Sequence, residues 1–526
     1  MTILFGQSYY LKFDPKLWEA MQPYPPLGTL YAAAVMRERG YDVALFDAML
    51  AESEAEWAAV LDRVRPRYAV LYEDNFNYLS KMCLLRMREA AFTMIEMARA
   101  RGCTVVVAGS DATDHAAAYL EQGAHFVLLG EGEETLSELI DALASGAEAH
   151  EVGDGILGLV YRDGQGRAVG NPRRPDIKAL DEIPFPAWDL VDVEKYRRIW
   201  LERHGYYSMN MVTTRGCPYH CNWCAKPIWG QRYNVRSPQN VVTELAWLKE
   251  QYAPDHIWFA DDIMGLKPGW WNEFADLLAA EQIRIPFKCL SRVDLLLRGD
   301  AIDGLSRAGC DIVWMGAESG SQAVLNAMEK GTQVEQIYEA ARRLQAAGVR
   351  VGFFLQFGYP GETMADVEQT LQMVRDCQPD DIGMSVSYPL PGTRFYERVR
   401  LQLGEQQNWH DSADLAMMYE GPFTTAFYRH LHSVLHKEFR ARHAWRELVT
   451  LLRRPHRLRP RHIRQGAAMA YRLATLPFSR RRLGQLAAVP HKGMVALPEG
   501  LSLEEASRPT PAATNATASR EHGRRA

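Results

Sequence analysis

Thr213-Thr214-Arg215-Gly216-Cys217-Pro218-Tyr219-His220-Cys221-Asn222-Trp223-Cys224 places three cysteines at Cys-x3-Cys-x2-Cys spacing, while the chain's other five cysteines stand singly. Thiolates this close on one loop can converge on a single inorganic centre. Three protein ligands suit a 4Fe–4S cluster with one iron left open for a small molecule. Zinc is the competitor, because His220 could complete a Cys3His set. Against zinc, His220 abuts Cys221, whereas structural zinc sites draw a second ligand pair from further along the chain.

Cys217, Cys221, Trp223 and Cys224 resemble the cysteine motif of radical SAM enzymes, with an aromatic residue just before the third cysteine. The resemblance implies that Cys217, Cys221 and Cys224 hold three irons of the cluster. S-adenosylmethionine would chelate the fourth, with Trp223 beside it. In that family reductive cleavage of S-adenosylmethionine yields a 5′-deoxyadenosyl radical.

Downstream of this loop, short strand-like runs at 208–213, 256–259, 286–289, 312–315, 349–354 and 382–387 alternate with helical stretches such as 238–251 and 334–347. Six strand–helix units match the partial (β/α)6 TIM-type barrel of radical SAM proteins, whose active residues sit at the carboxyl ends of strands. The second run ends in Asp261-Asp262, where the family receives the amino group of S-adenosylmethionine; an ammonium held against iron needs such acceptors. Arg292, after the third, can grip the methionine carboxylate in a bidentate fork. Glu318 and Ser319 follow the fourth, with Glu318 an acceptor for ribose hydroxyls. Gly358, after the fifth, belongs to a backbone turn near adenine. Pro389-Leu390-Pro391-Gly392-Thr393 closes the sixth.

Upstream, apolar runs at 2–5, 43–46, 68–72, 104–108 and 126–129 alternate with helical patterns such as 30–39, ending at Gly40, and 83–101, ending at Gly102. Strands alternating with helices predict a doubly wound, Rossmann-like parallel sheet, which binds ligands beyond the carboxyl ends of its strands. Those ends carry Gly6-Gln7-Ser8, Tyr72-Glu73-Asp74-Asn75, Gly109-Ser110-Asp111 and Gly130-Glu131-Gly132-Glu133. Their glycines permit close backbone approach to a ligand, or simply make tight turns.

This half is similar to the cobalamin-binding domain that precedes the radical domain in cobalamin-dependent radical SAM enzymes. Tyr24-Pro25-Pro26-Leu27-Gly28, Arg39-Gly40-Tyr41-Asp42-Val43 and Gly130-Glu131-Gly132-Glu133-Glu134-Thr135 carry the likeness. It implies a cobalamin contacted by Gly28, Tyr72, Asn75, Gly109, Ser110, Gly130, Glu131 and Gly132. No Asp-x-His-x-x-Gly motif occurs, so no histidine is expected below cobalt. Ala108-Gly109-Ser110-Asp111 departs from the Gly-Gly and nearby His that relatives carry.

The expected organisation is a cobalamin-binding domain over 1–150, a hairpin and proline-rich linker over 151–205, a radical SAM barrel over 206–400, a helical C-terminal extension over 401–489 and a disordered tail over 490–526. Within the linker, 157–161 and 167–169 flank the turn Asp163-Gly164. Residues 394–475 read as mostly helical. Tyr419 and Phe423 are candidate substrate contacts, and arginine dominates from Arg429 to Arg482. That basic stretch reads as a solvated helical face or as an RNA- or membrane-facing patch. The tail, rich in Ala, Thr, Pro, Ser and Glu, cannot bury enough apolar surface to order itself.

At 526 residues, 47% hydrophobic and 24% charged, with net charge −5, the chain reads as a multidomain soluble protein without a global bias toward nucleic acid. Its first residues lack the regions of a signal peptide, and no run matches a membrane span. Eight cysteines in so long a chain make no disulfide framework, so a reducing cytoplasm is expected. The resemblance implies a C-methyltransferase that uses a 4Fe–4S cluster, S-adenosylmethionine and cobalamin on a large, partly apolar substrate, with a flavodoxin- or ferredoxin-type electron donor. An oxidative cyclase like the anaerobic magnesium-protoporphyrin monomethyl ester cyclase is the alternative within enzymes. A cobalamin or iron–sulfur sensor whose basic tail contacts nucleic acid is the non-catalytic one. A methylthiotransferase is disfavoured, since only Cys83 and Cys103 stand in the N-terminal half.

Overall fold

Two sheets carry the chain, one parallel apart from a hairpin at its edge and one wholly parallel, built mainly from short apolar strands that alternate with helices. The computed structural model describes residues 2–82, 84–147, 152–153, 155–224, 228–405, 407–452 and 460–489. The tail expected to be disordered lies outside the described residues, as does Cys83.

The first sheet contains β1 (Thr2–Gly6), β2 (Asp42–Leu45), β3 (Tyr68–Tyr72), β4 (Thr104–Ala108), β5 (Phe126–Leu128), β6 (Leu159–Arg162) and β7 (Ala168–Gly170), in the order β2-β1-β3-β4-β5-β6-β7. β1 to β5 pair in parallel. Strand order reverses between β1 and β3, the position at which doubly wound sheets open a ligand crevice. Alternation along the strands feeds two cores. Leu4, Ala69, Leu71, Val105 and Val107 pack on one face, and Ile3, Phe5, Tyr68, Val70, Tyr72 and Val106 on the other. The hairpin around Asp163-Gly164 forms as β6 and β7, yet it also joins this sheet: β6 pairs antiparallel with β5, Leu128 opposite Leu159. The first sheet therefore extends to Gly170, past the expected boundary at residue 150.

The second sheet contains β8 (Ser208–Met211), β11 (His256–Phe259), β12 (Phe287–Ser291), β13 (Cys310–Glu318), β14 (Arg350–Phe357) and β15 (Asp381–Val386), in that order and all parallel. It curls into a half-barrel. A two-stranded ribbon of β9 (Thr214–Arg215) and β10 (Asn234–Val235) ties the start of the cysteine loop back to the chain beyond it. Helices begin where the sequence offers caps. Ser237 accepts from the Asn240 amide with Pro238 at the first turn, and Thr363 and Asp366 form a capping box.

Beyond β15, residues 394–475 are mostly helical as expected, but one stretch interrupts the helices. After a short helix, Arg394–Val399, and a single 3-10 turn, no helix returns among the described residues until Thr425–Leu452. The intervening stretch bonds to itself instead: Asp411 and Asp414 side chains accept from the Ala413 and Ala416 amides. It also spans both sheets. The Leu85 amide donates to the Trp409 carbonyl, Ser412 Oγ donates to Asp14, and the Trp409 amide donates to Tyr388 Oη. The helices Thr425–Leu452 and Pro460–Ala487 then pair as a hairpin.

Candidate active site

The carboxyl ends of the two sheets meet, and the cysteine loop lies where they do. Gly216 opens that loop at φ 81°; a Cβ there would stand 2.4 Å from the Arg232 carbonyl oxygen, so only glycine fits. Cys217, Cys221 and Cys224 follow, all partly accessible and outside any disulfide. Asn222 anchors the loop from within: it is buried, its amide donates to the Met328 carbonyl, and its side chain bonds Ala327 and Tyr359. Trp223 Nε1 is buried without a hydrogen-bond partner among the described residues. Cations border the sulfurs. Arg292 Nη1 lies 3.6 Å from Cys221 Sγ, its guanidinium 3.6 Å above the Tyr219 ring, and Lys330 Nζ lies 5.8 Å from the Trp223 ring.

This donor set fits an iron–sulfur cluster. Three accessible thiols beside two cations suit thiolate ligands, which need positive neighbours, and an orphaned indole N–H leaves one donor for whatever fills the loop. The zinc alternative fares worse, because His220 is exposed.

The side chains at the barrel mouth are more engaged with one another than the sequence indicates. Asp261 is buried and accepts from the amides of Thr213 (2.8 Å) and Thr214 (2.5 Å) and from both hydroxyls, which fastens β11 to the cysteine loop. Burial pushes its carboxyl up to about 6 against those hydrogen bonds. Asp262, by contrast, is exposed. Arg292 donates to Asp294 (2.9 Å) and to the Lys330 carbonyl (2.8 Å), so its fork is already occupied within the protein. Glu318 pairs with Lys330 at 2.8 Å, both buried. Its φ of 58° is rare for a residue with a side chain, and β13 shifts register between Gly316 and Glu318. Ser319 is buried against Thr370 Oγ1. Gly358, at φ 82°, donates to Glu362 at 2.6 Å, and its carbonyl accepts from the Tyr419 hydroxyl. Tyr419 is thereby packed into the barrel rim with Tyr359 and Phe395. Phe423 is half-buried and stacks on Phe427 at 4.2 Å.

At the first sheet's mouth most glycines answer to the chain itself. A Cβ on Gly109 would stand 2.7 Å from Glu73 Cβ, on Gly132 2.8 Å from the Tyr72 ring, and on Gly130 2.8 Å from Arg173. The Gly28 amide donates to Asp74, and the Gly132 amide to Tyr72 Oη. The polar residues between them are different. Asn75 Oδ1 and Ser110 Oγ are buried and lack partners among the described residues, a state that costs free energy unless a ligand relieves it. These two atoms fit a polar cofactor beyond β3 and β4. Glu73, bonded to the Ser8 amide, is raised to about 7 by burial.

One arrangement was not read from sequence although its residue stands in the opening motif. Arg215, two positions before Cys217 and 3% exposed at its side chain, donates to Glu131 (2.8 Å) and Glu133 (2.9 Å) of the first sheet. Trp229 Nε1 also donates to Glu131 (3.0 Å), and Trp229 stacks on Phe76. This buried clasp locks the loop after β5 to the cysteine loop. Glu131 thus bonds Arg215, Trp229 and the Ile177 amide. An arginine beside glycine gives no local sign that its partners lie about 80 residues upstream.

A family model described as the radical SAM superfamily matches residues 211–374. The chain is 29% identical over 380 residues to an uncharacterized methyltransferase of Pyrococcus horikoshii, covering 71% of this chain and 78% of that protein. It is 28% identical over 399 residues to an anaerobic magnesium-protoporphyrin IX monomethyl ester cyclase of Synechocystis, covering 73% and 75%. Among solved structures it shares the fold of OxsB, a cobalamin-dependent S-adenosylmethionine radical enzyme with aqua-cobalamin and S-adenosylmethionine bound. The TM-score is 0.68 at 16% identity, over 92% of this chain and 72% of OxsB. No described helix is long and apolar enough to cross a membrane.

Proposed function

We propose that this chain, a radical SAM protein by its matched domain, is a cytoplasmic enzyme that transfers a methyl group to an unactivated carbon of a large, partly apolar substrate with the aid of cobalamin. The observation that carries the reading is the clasp of Arg215 by Glu131 and Glu133, which sets the two sheet mouths face to face. Cobalamin would supply a methyl carrier, and the cluster with S-adenosylmethionine a hydrogen-abstracting radical.

The chain's own residues do the positioning. Cys217, Cys221 and Cys224 would hold the cluster, with Arg292 balancing negative charge beside Cys221. Asp261 keeps Thr213 and Thr214 in place at the root of that loop, so the loop enters its turn rigidly. Asp262, exposed beside buried Asp261, would receive the ammonium group. The buried indole N–H of Trp223 would offer one donor to whatever the loop holds, and Asn75 and Ser110 would meet polar edges of cobalamin on the opposite mouth. The stretch through Trp409 and Tyr419 covers the seam between the two and limits access of water. An external flavodoxin- or ferredoxin-type protein would deliver electrons.

The test is to feed methyl-labelled S-adenosylmethionine with the enzyme and a reductant to an anaerobic extract. Labelled product, with S-adenosylhomocysteine and 5′-deoxyadenosine in equal amounts, is expected. The likeness to the cyclases favours a second reading, oxidative ring formation without methyl transfer. Deoxyadenosine without label in any product selects it.

A further inference from the structure

The Pro460–Ala487 helix turns its apolar side outward. Its inner side is fixed to the Thr425–Leu452 helix by buried His462 and Leu483, by Gln465 to Glu447 (3.0 Å) and by Arg480 to Glu438 (2.6 Å). Opposite, Ile463, Tyr471 and Phe478 are 68%, 68% and 75% exposed. Ala467, Ala470 and Ala474 are exposed as well, and positions 463, 467, 470, 471, 474 and 478 fall on one face at helical spacing. The stripe runs about 22 Å at 1.5 Å per residue.

Its borders are basic. The helix carries Arg461, Arg464, Arg472, Arg480, Arg481 and Arg482 and no Asp or Glu. Among the described residues none of Arg464, Arg472, Arg481 and Arg482 pairs with a carboxylate; Arg480 alone does. An apolar stripe tipped with Tyr and Phe, flanked by cations and free of acids, is the pattern of a helix that lies in a membrane interface.

We infer that the Pro460–Ala487 helix docks this protein on an anionic lipid surface, its Ile463–Tyr471–Phe478 stripe entering the acyl boundary and its arginines meeting lipid phosphates. Other occupants fit the charges less well. A second copy would set arginines against arginines. An RNA backbone would find no cation along the stripe itself, since Arg472 is the sole charge between Arg464 and Arg480. The inference stands on this hairpin alone and is independent of the reaction catalysed.

Flotation of the full-length protein with vesicles tests it. Vesicles of phosphatidylcholine with phosphatidylglycerol should carry the protein upward, phosphatidylcholine alone should not, and added salt should weaken the binding. Phe478→Glu and, separately, Ile463→Glu should abolish flotation while leaving circular dichroism and melting unchanged, because both side chains are exposed. Arg481→Gln with Arg482→Gln should weaken binding about 25-fold, roughly fivefold per arginine near the surface. Failure to bind anionic vesicles overturns the proposal, as does wild-type affinity in both Glu variants. It is equally overturned if Phe478→Glu converts a self-associating protein to monomer in sedimentation while vesicles are ignored, or if the helix binds RNA and not lipid.

Discussion

The two sheet mouths face each other but solve the problem of a ligand site in opposite ways. At the half-barrel, most charged residues are bonded within the protein, Glu318 to Lys330, Arg292 to Asp294 and Asp261 to two threonines, while the thiols of one loop and Asp262 stay accessible. At the first sheet, several glycines are backed by the chain's own side chains, and the unsatisfied buried atoms include neutral Asn75 Oδ1 and Ser110 Oγ beside Glu133 Oε2, whose other oxygen pairs with Arg215. The difference teaches that a ligand position is marked less by residue type than by what the fold leaves unanswered. Charged groups at a mouth can be the frame of the site, and neutral ones its contacts.

Removing a ligand group should have the largest effect. Cys221→Ala should abolish cluster reconstitution, seen as lost iron and sulfide, and lower 5′-deoxyadenosine formation about ten-thousandfold, some 5 kcal/mol of barrier. A full cluster in that variant would sink the assignment of the half-barrel mouth. Separating the two mouths comes next. Arg215→Ala leaves Glu131 and Glu133 buried without their cation, so stability to denaturant should fall by about 3–5 kcal/mol. A loss below 1 kcal/mol would mean that the clasp does not join the sheets.

The frame of the barrel mouth should also respond to pH. Burial raises Glu362, hydrogen-bonded to the Gly358 amide, from an ordinary 4.5 to about 8. Between those values the native state holds a proton that the unfolded chain has released. Stability should therefore fall as pH rises, by on the order of 1 kcal/mol per pH unit, and level off above about pH 8. Glu362→Gln should flatten that slope over pH 6–8; an unchanged slope would assign it to another group. The smallest change concerns the first sheet. Gly132→Ala drives a Cβ to 2.8 Å from the Tyr72 ring, and overpacking of this kind costs about 1–3 kcal/mol. If instead it lowers cobalamin affinity without changing the melting temperature, this glycine faces the ligand after all.

Strand positions were legible because most strands are short apolar runs set between helices, a pattern local in sequence. The six barrel strands and the five parallel strands of the first sheet fall within a few residues of their expected places. The cysteine motif was legible for the same reason, since its ligands sit on one loop. The partners of polar residues were not. Nothing near Arg292 announces Asp294, the Lys330 carbonyl and Cys221 as its neighbours, and nothing near Tyr419 announces the Gly358 carbonyl. The interruption before Thr425 was not legible because Asp411, Ser412 and Asp414 bond their own backbone or a distant Asp14, which composition does not reveal.

The sequence by itself determined the two parallel sheets, their order of appearance and the thiol loop, because each depends on hydrophobic period or ligand spacing over a dozen residues. Tertiary structure alone decided that the β6–β7 hairpin belongs to the first sheet, that Glu131 serves Arg215, and that Asp261 braces the loop while Asp262 faces outward. The physical reason is that a buried charge or hydrogen-bonding atom must be matched by whichever group the fold brings within about 3 Å, and that distance is set by packing between segments far apart in the chain.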